Sequence, residues 1–297
     1  MSKAMTALKL LRTPHMFIIG LDNNGITCWM PDSLFLKIAY KGIMGEKLNL
    51  NNPRSFNEKL QWLKVNDHNP QYRLFVDKLM AKDTVGRIIG YQHIVPSYGN
   101  WSNAKDISFD ILPQRFVLKC NHDQGSVILV KNKNSINKKE IIKKLDIKMK
   151  KNAYYGTREY PYKNIEPRVF AEKYLGDNII DYKFYCFNGE PKFLYCGQGL
   201  TEDHSLKIDF YDLNWELMPF YRTDYDRLGK IERPSRLDEM INISRKLSEN
   251  IPFVRIDLFE VNNEVFFSEF TLYPASGFMP FVPNEYDEIV GEWLRLP

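Results

Sequence analysis

Two carboxylates, an arginine and a threonine stand among apolar residues in the segment FVRIDLFEVNNEVFFSEFTLYPASG, residues 253–277. In VRIDLF, Val254, Ile256 and Leu258 alternate with Arg255 and Asp257, and in VFFSEFTL the polar pair Glu269 and Thr271 keeps the same period of two. The runs flank Asn262-Asn263, a turn dipeptide. A two-residue turn there sets Asp257 opposite Ser268 and puts the two acids on opposite faces of the hairpin. A three-residue connection, Asn262-Asn263-Glu264, sets Asp257 opposite Glu269 and Arg255 opposite Thr271. That register gathers one arginine, two carboxylates and a hydroxyl on one face, a set suited to a Mg²⁺-bound polyphosphate. The same residues also fit an ordinary amphipathic hairpin with a solvated face.

Other segments add to the first reading. FVLKCNHDQGSVILV places Lys119 at the end of one strand and Gly125 and Ser126 in the loop before the next. Backbone N–H groups of such a loop can cover phosphates while the lysine neutralises them; a lysine before a glycine turn is equally the mark of a plain hairpin. AEKYL ends a strand with Glu172, Lys173, Tyr174 and Leu175, whose backbone can meet an adenine edge. Asp181 and Lys183 then share one face of the next strand, where a carboxylate can bind ribose hydroxyls. No Ser-His-Asp or Cys-His arrangement is visible, and His122 reads as a loop histidine rather than a base.

These residues need elements to hold them. Pro31-Asp32-Ser33 opens a helix over LFLKIAYKGIMG. Helices follow over FNEKLQWLKV and NPQYRLFVDKLMAKDTVGRII, then a short strand near HIVPSYG. RFVLKCN and SVILVKN are strands, followed by a basic helix, Asn137 to Lys151, and a strand in EPRVFAEKYL. DYKFYCF and PKFLYCG form a hairpin over Asn188-Gly189. KIDFYDL, a helix from Ser235 to Asn250, the acidic hairpin and a closing helix from Asn284 complete the chain, which carries no repeat and no low-complexity linker.

Composition bounds the function. The 297 residues, 44% hydrophobic, suffice for a real core in one large domain or a few joined subdomains. The net charge of +4 calls for no nucleic-acid partner and suits an enzyme handling phosphates or anionic sugars. Cys28, Cys120, Cys186 and Cys196 show no CxxC spacing and read as reduced thiols of a cytoplasmic protein. No secretory signal is visible, and HMFIIGL is far shorter than the roughly 20 residues that span a bilayer. Lys3, Lys9 and Arg12 before it leave room for peripheral contact with the inner face of a membrane. The run KNKNSINKKEIIKKLDIKMKK reads as a solvated helix face or a surface for a polyanion.

The order Lys, Gly loop, EKYL, Asp-x-Lys, Arg-x-Asp, Glu-x-Thr resembles the ATP-grasp superfamily, from about Phe75 to Gly277. NNPRSFNEKLQWLK, VDK, FVLKCNH, EKYL, DYKFYCFNGEPKF, FVRIDLFEV and SEFTLYPASGF extend the resemblance over nearly the whole chain to the TupA-like branch, linked with bacterial cell-surface polysaccharide and teichuronopeptide synthesis. It implies an α+β fold with ATP between two α+β subdomains: a helical extension over 1–50, an N-terminal α/β subdomain over 51–113, a lid over 114–175 and a C-terminal subdomain over 176–297 that holds the metal. It implies Lys78 and Lys119 on phosphates, Lys173 and Leu175 on adenine, Asp181 on ribose, and Lys183 or Lys207 on a phosphate or the acceptor. It makes Asp257 and Glu269 ligands of Mg²⁺, with Thr271 where many members have Asn, and gives Arg255 the transferred phosphoryl group. Lys192, Arg222 and Ser276 are expected near the acceptor. The implied activity is an ATP-dependent carboxylate–amine ligase joining an amino acid to a carboxylate-bearing sugar or glycan. A kinase for a sugar hydroxyl and a glycan-handling transferase or binding module are the alternatives. The loop NHDQGS is poorer in glycine than usual, and Asp123 brings a negative charge into it.

Overall fold

Local signals set the first helices. The computed structural model describes residues 14–123, 125–199 and 205–297, so Lys3, Lys9 and Arg12 lie outside the described residues. Helices α1 (Pro14–Asp22) and α2 (Asp32–Met44) pack on each other, and α2 ends at Gly45, whose φ of 79° lets its N–H reach the Lys41 carbonyl. Helix α3 (Phe56–Asn66) starts with a capping box, in which Ser55 and Glu58 each bind the other's backbone N–H. The single helix expected across LFVDKLM is instead two, α4 (Tyr72–Val76) and α5 (Lys78–Ile89). Asp77 breaks it by leaving the helical region, at φ −75° and ψ 107°, and accepting from the N–H groups of Leu79 and Met80.

Two sheets follow. The smaller contains β1 (Ser97–Trp101), β2 (Phe116–Cys120), β3 (Val127–Val130) and β4 (Val169–Lys173) in the order β1-β4-β2-β3, with every neighbour antiparallel. Helix α6 (Lys138–Met149) lays Ile141 and Leu145 on it and turns its lysines outward. The larger sheet contains β5 (Asp181–Phe187), β6 (Glu190–Gln198), β7 (Lys207–Asp212), β8 (Asp226–Arg227), β9 (Phe253–Val261) and β10 (Glu264–Thr271). Its order is β10-β9-β5-β6-β7-β8, antiparallel except for β7 with β8. Helix α7 (Leu237–Leu247) covers one face, where the Cys186 thiol meets the Ser244 carbonyl. Helices and sheets are therefore segregated, the α+β pattern.

The other face changes character along its length. Register sets Phe187 beside Phe253, Tyr185 beside Arg255, and Lys183 beside Asp257, with Tyr185 and Lys183 also facing Phe193 and Tyr195. The aromatic end is capped by Phe56 of α3, whose ring lies 4.9 Å from that of Phe253, and by Trp293 of α8 (Glu285–Trp293), 5.7 Å from Phe187. The ionic end remains for chemistry. Beyond β10, residues 274–279 fold back onto α3, where Asn57, Gln61 and Lys64 donate to the carbonyls of Met279, Gly277 and Ser276 at 2.7 Å each. These donors stand four and three residues apart and form one stripe of the helix.

The acid hairpin pairs Asp257 with Glu269 and Arg255 with Thr271, but by a different device from the expected three-residue turn. Val261 pairs with Glu264, so the turn is the two-residue Asn262-Asn263, with φ of 53° and 64°. Register then shifts between Phe267 and Glu269: Ser268 is the extra residue of a β-bulge, and the bulge supplies the one-residue offset. Because both turn residues are left-handed, replacing them by Ala-Ala should cost about 1–2 kcal/mol in urea unfolding, while Asn-Gly should hold or raise stability. Equal stability of the Ala-Ala chain would refute this account of the turn.

Candidate active site

Strands β5, β9 and β10 carry one charged group after another on a single face. The Arg255 guanidinium binds Asp257 through both carboxylate oxygens at 2.6 Å, gives Nη2 to the Thr271 hydroxyl at 2.9 Å, and lies 3.7 Å from Glu269. Lys183 Nζ lies 2.5 Å from both Asp257 and Asp181. Lys78, the first residue of α5, reaches Glu269 at 3.9 Å. The result is an alternating row, Lys78–Glu269–Arg255–Asp257–Lys183–Asp181, in which each charge neighbours its opposite.

Burial and pairing compete along that row. Burial works to raise the Asp257 carboxyl, but Arg255 and Lys183 outweigh it and hold it below the usual carboxylate range. Lys183 and Arg255 resist burial in turn and are held above their ordinary values, Lys183 by Asp181 and Asp257 and Arg255 by Asp257. Asp181 sits at the end of the row, and there burial wins: its carboxyl is pushed up to about 6. Its Oδ1 is buried and has no hydrogen-bond partner among the described residues. An orphaned buried acceptor of this kind fits a ligand hydroxyl.

The smaller sheet brings a second group to the same space. Glu172 on β4 is clamped between Lys119 on β2 and Lys82 on α5, the latter at 2.8 Å. The two lysines overcome burial and hold Glu172 down to about 2. Burial lowers Lys119, but Glu172 more than offsets it, and Glu269 and Asp181 of the larger sheet add to the pull. Lys78 and Lys82, one turn apart on α5, reach Glu269 and Glu172 respectively, so that helix joins the two charged groups. Lys82 was not among the expected residues, although its position one turn after Lys78 on α5 was a usable signal.

The loop between β2 and β3 joins these parts. Lys78 gives its backbone N–H to the Asn121 carbonyl at 3.0 Å and its ammonium to the Asp123 carbonyl. Asn121 in turn reaches the Asp77 cap at 3.0 Å. Gly125 takes φ +89°, and a side chain there would meet nothing within 4 Å, so this part of the loop faces open space. Ser126 is occupied inside the loop: its hydroxyl accepts from the Cys120 N–H at 2.9 Å and donates to Asp123. Thus the Asp123 charge is folded inward rather than presented. His122 is buried, which lowers its pKa, and its Nε2 meets the Lys151 carbonyl at 3.1 Å.

Some expected residues stand apart. Lys207 opens β7, two strands from β5, is exposed, and makes no ion pair with the row among the described residues. Lys173 is exposed, and its N–H is already given to the Pro96 carbonyl at 2.9 Å, so that donor is spent within the protein. Leu175 lies half-buried just beyond β4. Ser276 donates to Glu159 at 2.5 Å, Lys192 is exposed on β6, and Arg222 binds Asp224 beside Tyr225.

A divalent cation would need donors from β9 and β10. Among the described residues no three His, Cys, Asp or Glu side chains gather closely enough to hold a metal alone. Asp257 and Glu269 supply two hard carboxylates, and Thr271 a hydroxyl. Glu269 is 30% exposed and its cation contacts are long, whereas on Asp257 only Oδ1 keeps a lone pair beyond its bond from Arg255, because Oδ2 already accepts from both Arg255 and Lys183. This fits Mg²⁺, which binds through one or two carboxylates and completes its shell with water and phosphate oxygens.

Comparison with known proteins gives the family. Residues 58–295 match the family described as TupA-like ATPgrasp. No curated protein matches the chain. Among solved structures it is similar to the D-alanine–D-alanine ligase from Bacillus anthracis complexed with ATP, at 15% identity over 67% of this chain and 55% of that one, with a TM-score of 0.39. The D-alanine–D-alanine ligase from Helicobacter pylori gives 16% identity over 75% and 62%, with a TM-score of 0.40. The ATP-grasp ligase PsnB complexed with a minimal precursor gives 7% over 73% and 59%, with a TM-score of 0.38. The chain covers less than two thirds of the length of each of these structures. The match over residues 58–295 places the chain in the TupA-like ATP-grasp family, with the α+β fold of that superfamily.

Proposed function

We propose that the chain is an ATP-dependent carboxylate–amine ligase that forms an amide between an amino acid and a uronic acid of a bacterial cell-surface glycan or its precursor. The observation that carries this reading is the row of alternating charges on β5, β9 and β10, joined through Lys78 and Lys82 of α5 to the Lys119–Glu172–Lys82 clamp. ATP and a carboxylate are both anions, and bringing them together needs fixed cations. Lys78, Lys119 and Lys183 would hold the phosphates and Arg255 the transferring phosphoryl group. Asp181 Oδ1 would accept a ribose hydroxyl, Leu175 and the neighbouring EKYL backbone would border adenine, and Gly125 would let the loop approach the phosphates. Asp257 and Glu269 would hold Mg²⁺, which when bound offsets negative charge on the phosphates.

In the proposed reaction a carboxylate oxygen attacks the γ-phosphorus as the bond to the ADP oxygen breaks, giving an acyl phosphate. An amine then attacks the acyl carbon, inorganic phosphate leaves, and the amine nitrogen loses a proton to water. A carboxylate nucleophile has no proton to lose, so no protein base is needed for the first step. That agrees with a site whose acids are tied to Lys or Arg. Phosphorylation of a sugar hydroxyl is the second reading, and Asp181, with its raised pKa and free oxygen, is the group that favours it as a base.

Three measurements test the proposal. Glu269→Gln should fold normally and lower ATP turnover by at least about 100-fold, roughly 2.7 kcal/mol of transition-state stabilisation; an unchanged rate at saturating Mg²⁺ would sink the metal role. Hydroxylamine added with ATP and the carboxylate substrate, but no amine, should trap a hydroxamate. A hydroxylamine-stable sugar phosphate in its place would establish the kinase instead. Because the Asp181 carboxyl titrates near 6, it is protonated below that pH and charged above it. The KM for ATP should therefore rise as pH falls through about 6, and Asp181→Asn should flatten that limb. A limb unchanged by the substitution would remove Asp181 from ATP binding.

A further inference from the structure

The helical pair α1 and α2 and the loop between them leave apolar side chains exposed. Met16, Phe17, Ile26, Leu34 and Ile43 are exposed, and Trp29 is 75% exposed. These six, between residues 16 and 43, are about a third of the seventeen large apolar side chains exposed on the described surface. A concentration of this kind marks a contact surface rather than scattered exposure. The pair itself is held firmly: Phe35, Leu36, Ala39 and Tyr40 of α2 are buried beneath it.

Charge identifies the partner. Lys37, Lys41 and Lys47 are exposed around this surface. The nearby acids Asp22 and Asp32 turn inward onto Arg158, the former completely buried and the latter at 2.8 Å, which leaves Glu46 as the exposed acid of residues 14–50. Residues 1–13, outside the described residues, contain Lys3, Lys9 and Arg12 and no acid. Exposed tryptophan and aliphatic groups rimmed by lysine are the chemistry that seats a protein on anionic lipid, with the ring at the headgroup level and the lysines on phosphates. The basic helix α6 is the competing surface, but around Lys139, Lys143 and Lys150 it offers Ile147 as its one exposed large apolar side chain.

We propose that the α1–α2 pair is a membrane-docking foot that holds the chain on an anionic bilayer surface. No helix of the described residues is long and apolar enough to cross a membrane, and the proposed contact is a peripheral one. The proposal does not depend on the reaction catalysed.

The full chain should cosediment with vesicles containing roughly 30% phosphatidylglycerol, weakly or not at all with pure phosphatidylcholine, and lose binding in about 0.5 M salt. Phe17→Ser with Trp29→Ser should weaken binding by about 10-fold or more, with the circular dichroism spectrum unchanged. Lys139→Glu with Lys143→Glu and Lys150→Glu should leave most of it. Cys28 is exposed while Cys120, Cys186 and Cys196 are buried, so a polarity-sensitive thiol probe will report from this surface, with a blue shift on docking. Absence of vesicle binding, binding indifferent to the Phe17/Trp29 pair, or binding abolished by the α6 substitutions alone would each overturn the proposal. So would a dimer in sedimentation velocity that the Phe17/Trp29 substitutions break, since a second copy would then be the partner.

Discussion

The Arg255–Asp257 pair is the constraint on which the larger sheet depends. Both side chains lie inside the protein, Asp257 completely so, and an isolated charge at either position would carry a desolvation cost of several kcal/mol. Arg255 therefore needs Asp257 and Thr271, and Asp257 needs Lys183, which fixes β5, β9 and β10 against one another. A slip of one residue would exchange this face with Ile256 and Leu258 and bury the charges among the side chains under α7. The aromatic half of the same face holds the strands by packing. The ionic half holds them by charge pairing, and it is the half able to exchange protein partners for those of a ligand.

Legibility in the sequence follows the range of the signal. Caps, the Asn188-Gly189 turn and the alternation in VRIDLF act over a few residues, and the corresponding elements formed as expected. The break at Asp77 was hidden because the apolar pattern of LFVDKLM runs through it. The pairing of Asp257 with Glu269 was anticipated as one of two registers, but the bulge that produces it was not. Ser268 looks like any polar strand residue, and its role emerges only from the conflict between a tight turn and the charge pairing beyond it. Long-range partners were less visible still. Lys82 and Glu172 are far apart in the chain, and the resemblance that named Lys207 beside Lys183 does not say where the Lys207 strand lies in the sheet.

Arg158 shows the same limit beneath the α1–α2 pair. It lies in an irregular stretch, at a φ of 56°, and nothing local marks it. Its guanidinium is nonetheless completely buried, stacked 4.7 Å from Phe35 and bonded to Asp22, Asp32 and the carbonyls of Thr27 and Met30. One side chain thus fastens the α1–α2 pair to the body. It also removes two carboxylates from the outer surface, so the sign of that surface is decided from within.

The stripe of donors on α3 has a consequence for the making of the chain. Asn57 finds its acceptor 222 residues later, at Met279, and Lys59 reaches the carbonyls of Gly291 and Leu294. At the ribosome's pace of about 5–20 residues per second, α3 emerges roughly 10–45 s before those acceptors exist. Through that interval the Asn57 and Gln61 carboxamides have only water to bind, while Lys64 can already meet the Thr157 carbonyl and Phe56 the rings of Tyr185 and Phe187. Helix α3 therefore waits with part of its face solvated, and the segment after β10 and the closing helix α8, the last to be synthesised, are the pieces that let it dock.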